Sequence, residues 1–393
     1  MTSQVILGRG ARTPFGDFGK SLRDTPLTDL GVHAVKATIE RAGFDPARID
    51  HLAFGNVVPV EKDGLFVSRR VALGAGLPME SSAVNVNRAC ASGSEAIATL
   101  ARLVMVGDSE IAIAAGGENF SRAPFVLRTP RWTPTRGQQI LDDMLDSAYR
   151  SPFGGELMGE TAELLAERYD YDREGMDVWA LASQERAKAA IESGFLAQQI
   201  APITIAEKAG ERLFAQDEYV RFDTTADRLA RLKPVFRKNG KVTAGNASGV
   251  TDGAAAIVVA DRTAAEAAGI EPMARIVAIT TVGVPPEIMG AGPVPAIAEL
   301  LKRQQLGVDD IDYWEINEAF AAVNMHAERQ LGIPHARTNL YGGGMSVGHP
   351  PGATGLRMTL TAIDHLHKTG ERRAIISMCM GGGQGMATLI ERF

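Results

Sequence analysis

Apolar and polar positions along the chain run through the same order of elements twice. The opening "SQVILGRGARTPF" reads as a strand, and so does "MARIVAITTVGVPP" from Met273. Each is followed by a helix pattern and then a strand ending in asparagine: "LTDLGVHAVKATIERAGFDPARIDHLAFGN" in one place, "PVPAIAELLKRQQLGVDDIDYWEIN" in the other. Next come "VSRRVALGAGLP" and "VNMHAERQLGIP", short helices that both stop at Gly-Leu/Ile-Pro. Then lie "SSAVNVNRACASGSEAI" and "ARTNLYGGGMSVGHPPGATG". Each copy closes with a long helix and a buried strand running into glycines, "EIAIAAGGENFS" and "RAIISMCMGGGQGMA".

This order predicts an α/β fold of two duplicated βαβαβ-type halves, with helices around parallel-rich sheets. The first half takes residues 1–120 and 244–270, and the second takes 271–393. Between them, residues 121–243 break the pattern with mixed polar loops and helices such as "GETAELLAERY" and "MDVWALASQERAKAAIESG", and read as an inserted loop domain. The chain rejoins the first half at "VTAGNASGVTDGAAAIVVA", a glycine-rich turn leading into a small-residue helix or strand.

Composition changes this picture little but narrows the partners. The 393 residues are 45% hydrophobic and 22% charged, with 42 glycines, values of a globular protein rich in turns. A formal net charge of -6 argues against a general nucleic-acid or membrane-surface role, which draws on concentrated positive charge. "MTSQVILGRGARTPFG" lacks the pattern of a signal peptide, no run approaches the ~20 apolar residues of a membrane span, and "LIERF" carries no targeting tripeptide. A cytoplasmic protein is expected. Its two cysteines, Cys90 and Cys379, do not form a disulfide framework and are available as thiols.

Four stretches are candidates for chemistry: "NRACASG" with Cys90, "NEAFA" with Asn317 and Glu318, "GGGMSVGHPPGATG" with His349, and "CMGGGQG" with Cys379. Taken singly, each has a plain reading as a packing cysteine, a loop histidine or a glycine turn. The repeat changes this. Cys90 and His349 fall in equivalent segments of the two halves and Cys379 ends the last strand region of the second, so all three are expected to converge near the pseudo-twofold axis. Cys90 also lies at a strand-to-helix junction, where a helix N-terminus can stabilise a thiolate. No Walker loop or dinucleotide fingerprint is present, since "GRGARTPFG" lacks the spacing.

With these four motifs in register, the sequence resembles the thiolases, which make or cleave 3-ketoacyl-CoA, over essentially its whole length. The resemblance implies the thiolase fold and an acyltransferase. Cys90 would be the acylated nucleophile, His349 its activating base and Cys379 the second acid/base, with Asn317 helping to bind the thioester oxygen. Two thiols then serve two steps: one attacks a thioester, the other moves a proton at the methyl carbon of acetyl-CoA. Backbone N–H groups at Cys90 and around Gly381 would form one oxyanion hole, His349 with an Asn317-held water the other, and Glu318 would orient an active-site group.

The resemblance also makes the insert the CoA-binding region. Within its basic stretch "VRFDTTADRLARLKPVFRKNGK", Arg221 and Arg228 are expected at the nucleotide end. Ser248 would lie near the pantetheine amide, and Met158 and Phe320 at the acyl end. One position departs from the short-chain biosynthetic branch, where a histidine often precedes the Met-Gly pair: here Leu157 stands, and is expected to favour longer or bulkier acyl groups. No cofactor or metal is expected, coenzyme A being substrate and product, and family members are homodimers or homotetramers. Three other readings stand beside this one. A ketoacyl synthase would carry histidine in place of Cys379, an inactive lipid- or CoA-binding relative would lack one of the three chemical residues, and a cysteine hydrolase would leave Cys379 idle.

Overall fold

The computed structural model describes residues 4–128, 140–207 and 210–393. Its frame is a mixed sheet of β1 (Val5–Arg12), β2 (His51–Gly55), β3 (Ser82–Val86), β4 (Ile111–Glu118), β5 (Thr251–Asp261), β6 (Ala274–Gly283), β7 (Tyr313–Ile316), β8 (Arg373–Met380) and β9 (Gln384–Arg392). They lie in the order β7-β8-β9-β6-β1-β5-β4-β2-β3, and a two-residue strand at Gly16–Asp17 pairs with the start of β5. Cut between β6 and β1, this order gives two half-sheets on one plan. The second lacks only a counterpart of β3, and Thr338, bridged in parallel to Trp314, stands in its place. The duplication read from the pattern is therefore also a duplication in space.

Parallel pairing is narrower than the repeat suggested. β2 runs parallel to β3 and β4, and β7 to β8; the pairs β4–β5, β5–β1, β1–β6, β6–β9 and β9–β8 are antiparallel. Helical crossovers join the parallel strands, whereas each half ends on a strand that comes back beside its predecessor. In the second half that return is a tight turn at Gly381–Gly383, with Gly382 and Gly383 at φ +85° and +81°, a region open to glycine at no steric cost. In the first half the same turn is opened, and residues 119–250 are spliced into it. The small-residue segment after the insert is the strand β5.

Helices layer on this frame. The pair α1 (Leu27–Ala42) and α2 (Val67–Gly74) covers one face of the first half-sheet. Leu27, Leu30, Ala34, Val35 and Ile39 supply the buried stripe of α1, and Gly43 at φ +69° ends it. The central helix α3 (Ser92–Val106) comes next in the chain, then α4 (Met158–Arg168) and α5 (Arg173–Glu192) of the insert. In the second half, α6 (Pro293–Gln304) and α7 (Ala321–Leu331) cover the sheet, and α8 (Pro351–Thr369) is the counterpart of α3. Helices α3 and α8 pack on each other inside the main core, which draws on both half-sheets. Every residue of α8 from Pro351 to Ile363 is buried. The apolar stretch 89–106, of mean hydropathy 1.3 and long enough to cross a membrane by composition alone, includes this central α3 and is mostly enclosed by protein.

Glycines let the two central helices meet at their N-terminal ends. A Cβ on Gly93 would lie 2.6 Å from the Gly352 carbonyl oxygen, and one on Gly352 would strike the backbone of Gly55 and Gly117. Backbone cannot swing aside as a side-chain tip can. Gly352→Ala is therefore expected to lower stability by about 3 kcal/mol, at the upper end of overpacking costs, read as a shifted denaturant midpoint; an unchanged midpoint would remove this contact from the account.

Candidate active site

That close crossing sets Cys90, two residues before α3, and His349, two residues before α8, on one cavity. Among the described residues, Val57, Ala89, Phe120, Ala148, Tyr149, Met158, Ser248, Met289, Ala319, Phe320, Pro351 and Gly381 also line it. Ala89 has φ +46°, a conformation costly for a residue with a Cβ, and strain of this kind persists only where the surroundings enforce it. Here they do so through hydrogen bonds: Ala89 N–H donates to Asn87 Oδ1 (3.0 Å), Arg88 N–H to Ser92 Oγ (2.9 Å), and Ser92 Oγ–H to the Ala89 carbonyl (2.7 Å). The backbone amides of Gly381 and Cys90 lie close enough to the Cys90 sulfur to favour its thiolate. Those two amides can stabilise an oxyanion on a carbonyl carbon bound to that sulfur.

His349 is 5% exposed and held on both ring nitrogens. Nδ1 lies 2.6 Å from Thr354 Oγ1, and the Thr354 hydroxyl donates to the Pro350 carbonyl (2.9 Å). A hydroxyl has one proton to give, so Nδ1 carries the donor hydrogen and Nε2 is left with its lone pair. Nε2 in turn lies 3.3 Å from Asn317 Nδ2, while Asn317 Oδ1 is buried and, among the described residues, accepts no hydrogen bond, so it can hold a water. The imidazole N–H to threonine bond thus fixes the tautomer able to accept a proton from a thiol.

Burial dominates the electrostatics. It pulls His349 down to about 3, with Arg357 adding in the same direction. It pushes the Cys90 thiol above its ordinary value, outweighing the two amides that stabilise the thiolate. Burial thus works against the helix-terminus effect and favours a neutral thiol in the same cavity as a neutral imidazole. Alkylation of Cys90 by iodoacetamide should accordingly keep accelerating as pH rises past 9, because only the thiolate reacts and its fraction grows about tenfold per unit below the pKa. A plateau near pH 7 would instead indicate a preformed ion pair.

Cys379, near the end of β8, is fully buried and belongs to the same hydrophobic cluster as Met158, Met289, Ala319 and Phe320 of the cavity lining. Burial raises its pKa well above the usual thiol range, and Cys90 raises it further. A thiol so placed is a feeble acid, and its thiolate is a correspondingly strong base. The two sulfurs are close enough that charge on one opposes charge on the other.

Glu318 does not line the cavity; it binds the loops that shape it. Its carboxylate accepts hydrogen bonds from Ser183 Oγ (2.5 Å) on α5, Asn339 Nδ2 (3.0 Å) and the Met345 N–H (3.2 Å). The orienting part expected of it thus runs through the backbone of segments 317–320 and 343–349. Ser183 is a partner that no local sequence pattern would have marked. Next to it, Gln184 donates to the Met345 carbonyl (2.9 Å) and accepts from the Arg221 N–H (2.8 Å), tying the insert to the same loop.

Ser248, Met158 and Phe320 line the Cys90 cavity. Arg221 and Arg228 lie on a separate cleft with Gln184, Tyr219, Thr224, Leu232, Gly245 and Met345; Arg221 also pairs with Asp17 (3.2 Å) and Arg228 with Asp223. The segment 244–248 runs from this cleft to the cavity, so a long thin ligand can span both. Leu157 is the correction. It is not among the cavity residues: it immediately precedes α4, where its N–H donates to Glu160 (2.7 Å), and the neighbouring Met158 occupies the wall. Tyr149, which sequence reasoning passed over, lines the cavity instead. Among the described residues no group of three or more His, Cys, Asp and Glu side chains is arranged to hold a metal ion.

Comparison with known proteins places this arrangement. Residues 5–263 match the family model described as thiolase, N-terminal domain, and residues 270–392 match thiolase, C-terminal domain. Over 393 residues, all of both chains, the sequence is 42% identical to the beta-ketothiolase BktB of Cupriavidus necator. It is likewise 42% identical, over 400 aligned residues and the full length of both, to a beta-ketoadipyl-CoA thiolase of Pseudomonas aeruginosa. The crystal structure of human mitochondrial 3-ketoacyl-CoA thiolase in complex with CoA superposes with a TM-score of 0.95 at 38% identity, covering 100% of this chain and 98% of that one.

Proposed function

The chain belongs to the thiolase family, and from that premise we propose that it transfers acyl groups between CoA thioesters through an acyl-enzyme on Cys90. The observation that carries this reading is the single cavity lined by Cys90, His349 and Gly381, with Cys379 near enough to Cys90 for the two sulfurs to interact electrostatically. An inactive binding protein gains no support from a site in which all three chemical residues stand together. Cys379, in the place where a ketoacyl synthase would have histidine, favours proton removal over decarboxylation.

In the first half-reaction the Cys90 sulfur attacks the acyl carbonyl while its proton passes to His349 Nε2. The oxygen that gains charge lies between the Gly381 and Cys90 N–H groups when the carbon is bonded to Cys90. As the C–S bond to CoA breaks, Cys379 gives its proton to the departing sulfur. A thiolate on Cys379 then balances the imidazolium on His349. In the second half-reaction that thiolate removes a proton from the methyl carbon of acetyl-CoA, the carbanion attacks the acyl-enzyme carbonyl, and the proton on His349 returns to Cys90. A new C–C bond replaces the C–S bond, and each residue regains its starting state. The reverse sequence cleaves a 3-ketoacyl-CoA with CoA.

The high basicity that burial gives the Cys379 thiolate suits a weakly acidic C–H. Binding of the nucleotide end falls to the cleft of Arg221 and Arg228, and the pantetheine arm passes Ser248. The reaction calls for no cofactor beyond CoA as substrate and product. Two exposed features support a homo-oligomer: the unpaired edge strand β3 and the apolar Leu65, Phe66, Met79, Met105 and Val106.

Leu157 is not among the residues that line the cavity, so acyl length is read from those that are. Phe120, Tyr149, Met158, Met289 and Phe320 crowd the wall and favour short acyl groups. The test is the rate of CoA-dependent cleavage of 3-ketoacyl-CoA substrates of increasing chain length. Rates highest at the short end are expected; a maximum at long chains would reverse the size assignment, and no cleavage at any length would overturn the activity.

A further inference from the structure

Among the described residues the acyl cavity has one tyrosine in its lining, and the hydroxyl of that tyrosine has no protein partner. Tyr149 comes from the insert, and its ring packs at a tilt against Phe120, with centroids 5.6 Å apart. Among the described residues its hydroxyl makes no hydrogen bond, although Tyr hydroxyls in enclosed sites ordinarily find a partner. The residue is half-buried on the wall of the cavity that holds Cys90. Burial raises the hydroxyl pKa, and the nearby Cys90, Glu118 and Asp252 add to it, so the group stays a protonated donor throughout the working range.

The rest of the lining limits what that donor can meet. Apart from Ser248 and His349, the side chains around it, Phe120, Ala148, Met158, Met289 and Phe320, offer no strong polar group, and among the described residues no Lys or Arg lines the cavity. An acyl chain ending in a carboxylate would bring a charge into this site without a counter-ion, a costly burial. An all-hydrocarbon chain would cover the Tyr149 hydroxyl and leave it unpaired, which also costs. A chain bearing an uncharged oxygen, as hydroxyl or carbonyl, avoids both penalties.

We propose that Tyr149 is a specificity-determining residue that selects short acyl groups carrying a neutral oxygen over plain alkyl and carboxylate-terminated ones. This rests on the acyl-transfer reading of the same site. Discrimination of this kind is strong where a site is built around a hydrogen bond and weak where it merely tolerates shape.

The test uses three 3-ketoacyl-CoA substrates of equal chain length, ending in a methyl, a hydroxymethyl or a carboxylate group, with kcat/KM measured for CoA-dependent cleavage by the wild-type protein and Tyr149→Phe. The wild type should prefer the hydroxymethyl substrate to the methyl one by about fivefold to tenfold, the worth of a net hydrogen bond, and should cleave the carboxylate substrate least. Tyr149→Phe should erase the preference between the first two while keeping the carboxylate last. A wild-type preference for the methyl or carboxylate substrate, or a ratio unchanged in Tyr149→Phe, would overturn the proposal. Mass detection of acetyl-Cys90 after acetyl-CoA treatment separates the two levels of failure. If Cys90 is acylated and the ratio is unmoved, Tyr149 is not the selector; if it is never acylated, the acyl-transfer reading itself has failed. Tyr149→Leu, which also removes the hydroxyl, serves as the second variant and must lose the same preference.

Discussion

Cys90→Ala will leave a folded protein that neither acquires an acyl group from acetyl-CoA nor cleaves 3-ketoacyl-CoA, with turnover down by at least about 10⁴-fold, the scale seen when a covalent nucleophile is removed. The size follows from the geometry. Everything arranged around this position acts on the sulfur: the strained Ala89 presents it, the Cys90 and Gly381 amides lie close to it, and the unprotonated Nε2 of His349 shares its cavity. Without the sulfur, none of these has a reacting atom to act on. Intact-mass measurement after incubation with acetyl-CoA, alongside a circular dichroism spectrum, checks the result. An acetyl group still found on the variant at stoichiometric level would place the nucleophile elsewhere.

Cys379→Ala should split the reaction instead of abolishing it. Cys90, its amides and His349 are untouched, so the acetyl-enzyme still forms, more slowly because the departing CoA thiolate must take its proton from water. Carbon–carbon bond formation and cleavage should fall by about 10³-fold, within the range expected for loss of a positioned acid/base. The signature is acetyl-Cys90 that accumulates and persists when acetyl-CoA is in excess. Losing one sulfur from a packed interior costs little structure, and a thermal melt verifies it. Condensation at wild-type rate would show that Cys379 only fills space.

The duplicated plan was legible in the sequence because each copy repeats the same succession of periods, and side-chain period follows directly from secondary structure. The meeting of Cys90 with His349 followed from the repeat alone, since equivalent loops of two related halves face one axis. Antiparallel pairing of the inner strands was not legible: pattern records which faces are buried and says little about which neighbour a strand returns to. Leu157 misled for a related reason. Its neighbour in the chain, Met158, points into the cavity, and at the start of a helix one residue's shift turns a side chain by about 100°. Tyr149 and Ser183 escaped because each joins the site from the insert, whose irregular course gives no periodic guide to what faces inward. The ionisation of the thiols and the imidazole could not be read at all, since it depends on burial, and burial is set by the packed whole.

The return turn between the last two strands has had opposite fates in the two copies. Where β8 meets β9 it has stayed at three glycines, and it cannot lengthen without moving the Gly381 amide away from the sulfur it serves. Where β4 meets β5, over a hundred residues are accommodated without disturbing the register of the pair. One copy keeps the tolerance fixed; the other is free to vary, and it is the one that carries Arg221, Arg228, Met158 and Tyr149. Changes confined to the insert can therefore reshape the wall of the cavity while leaving Cys90 and His349 in place at the junction between the halves.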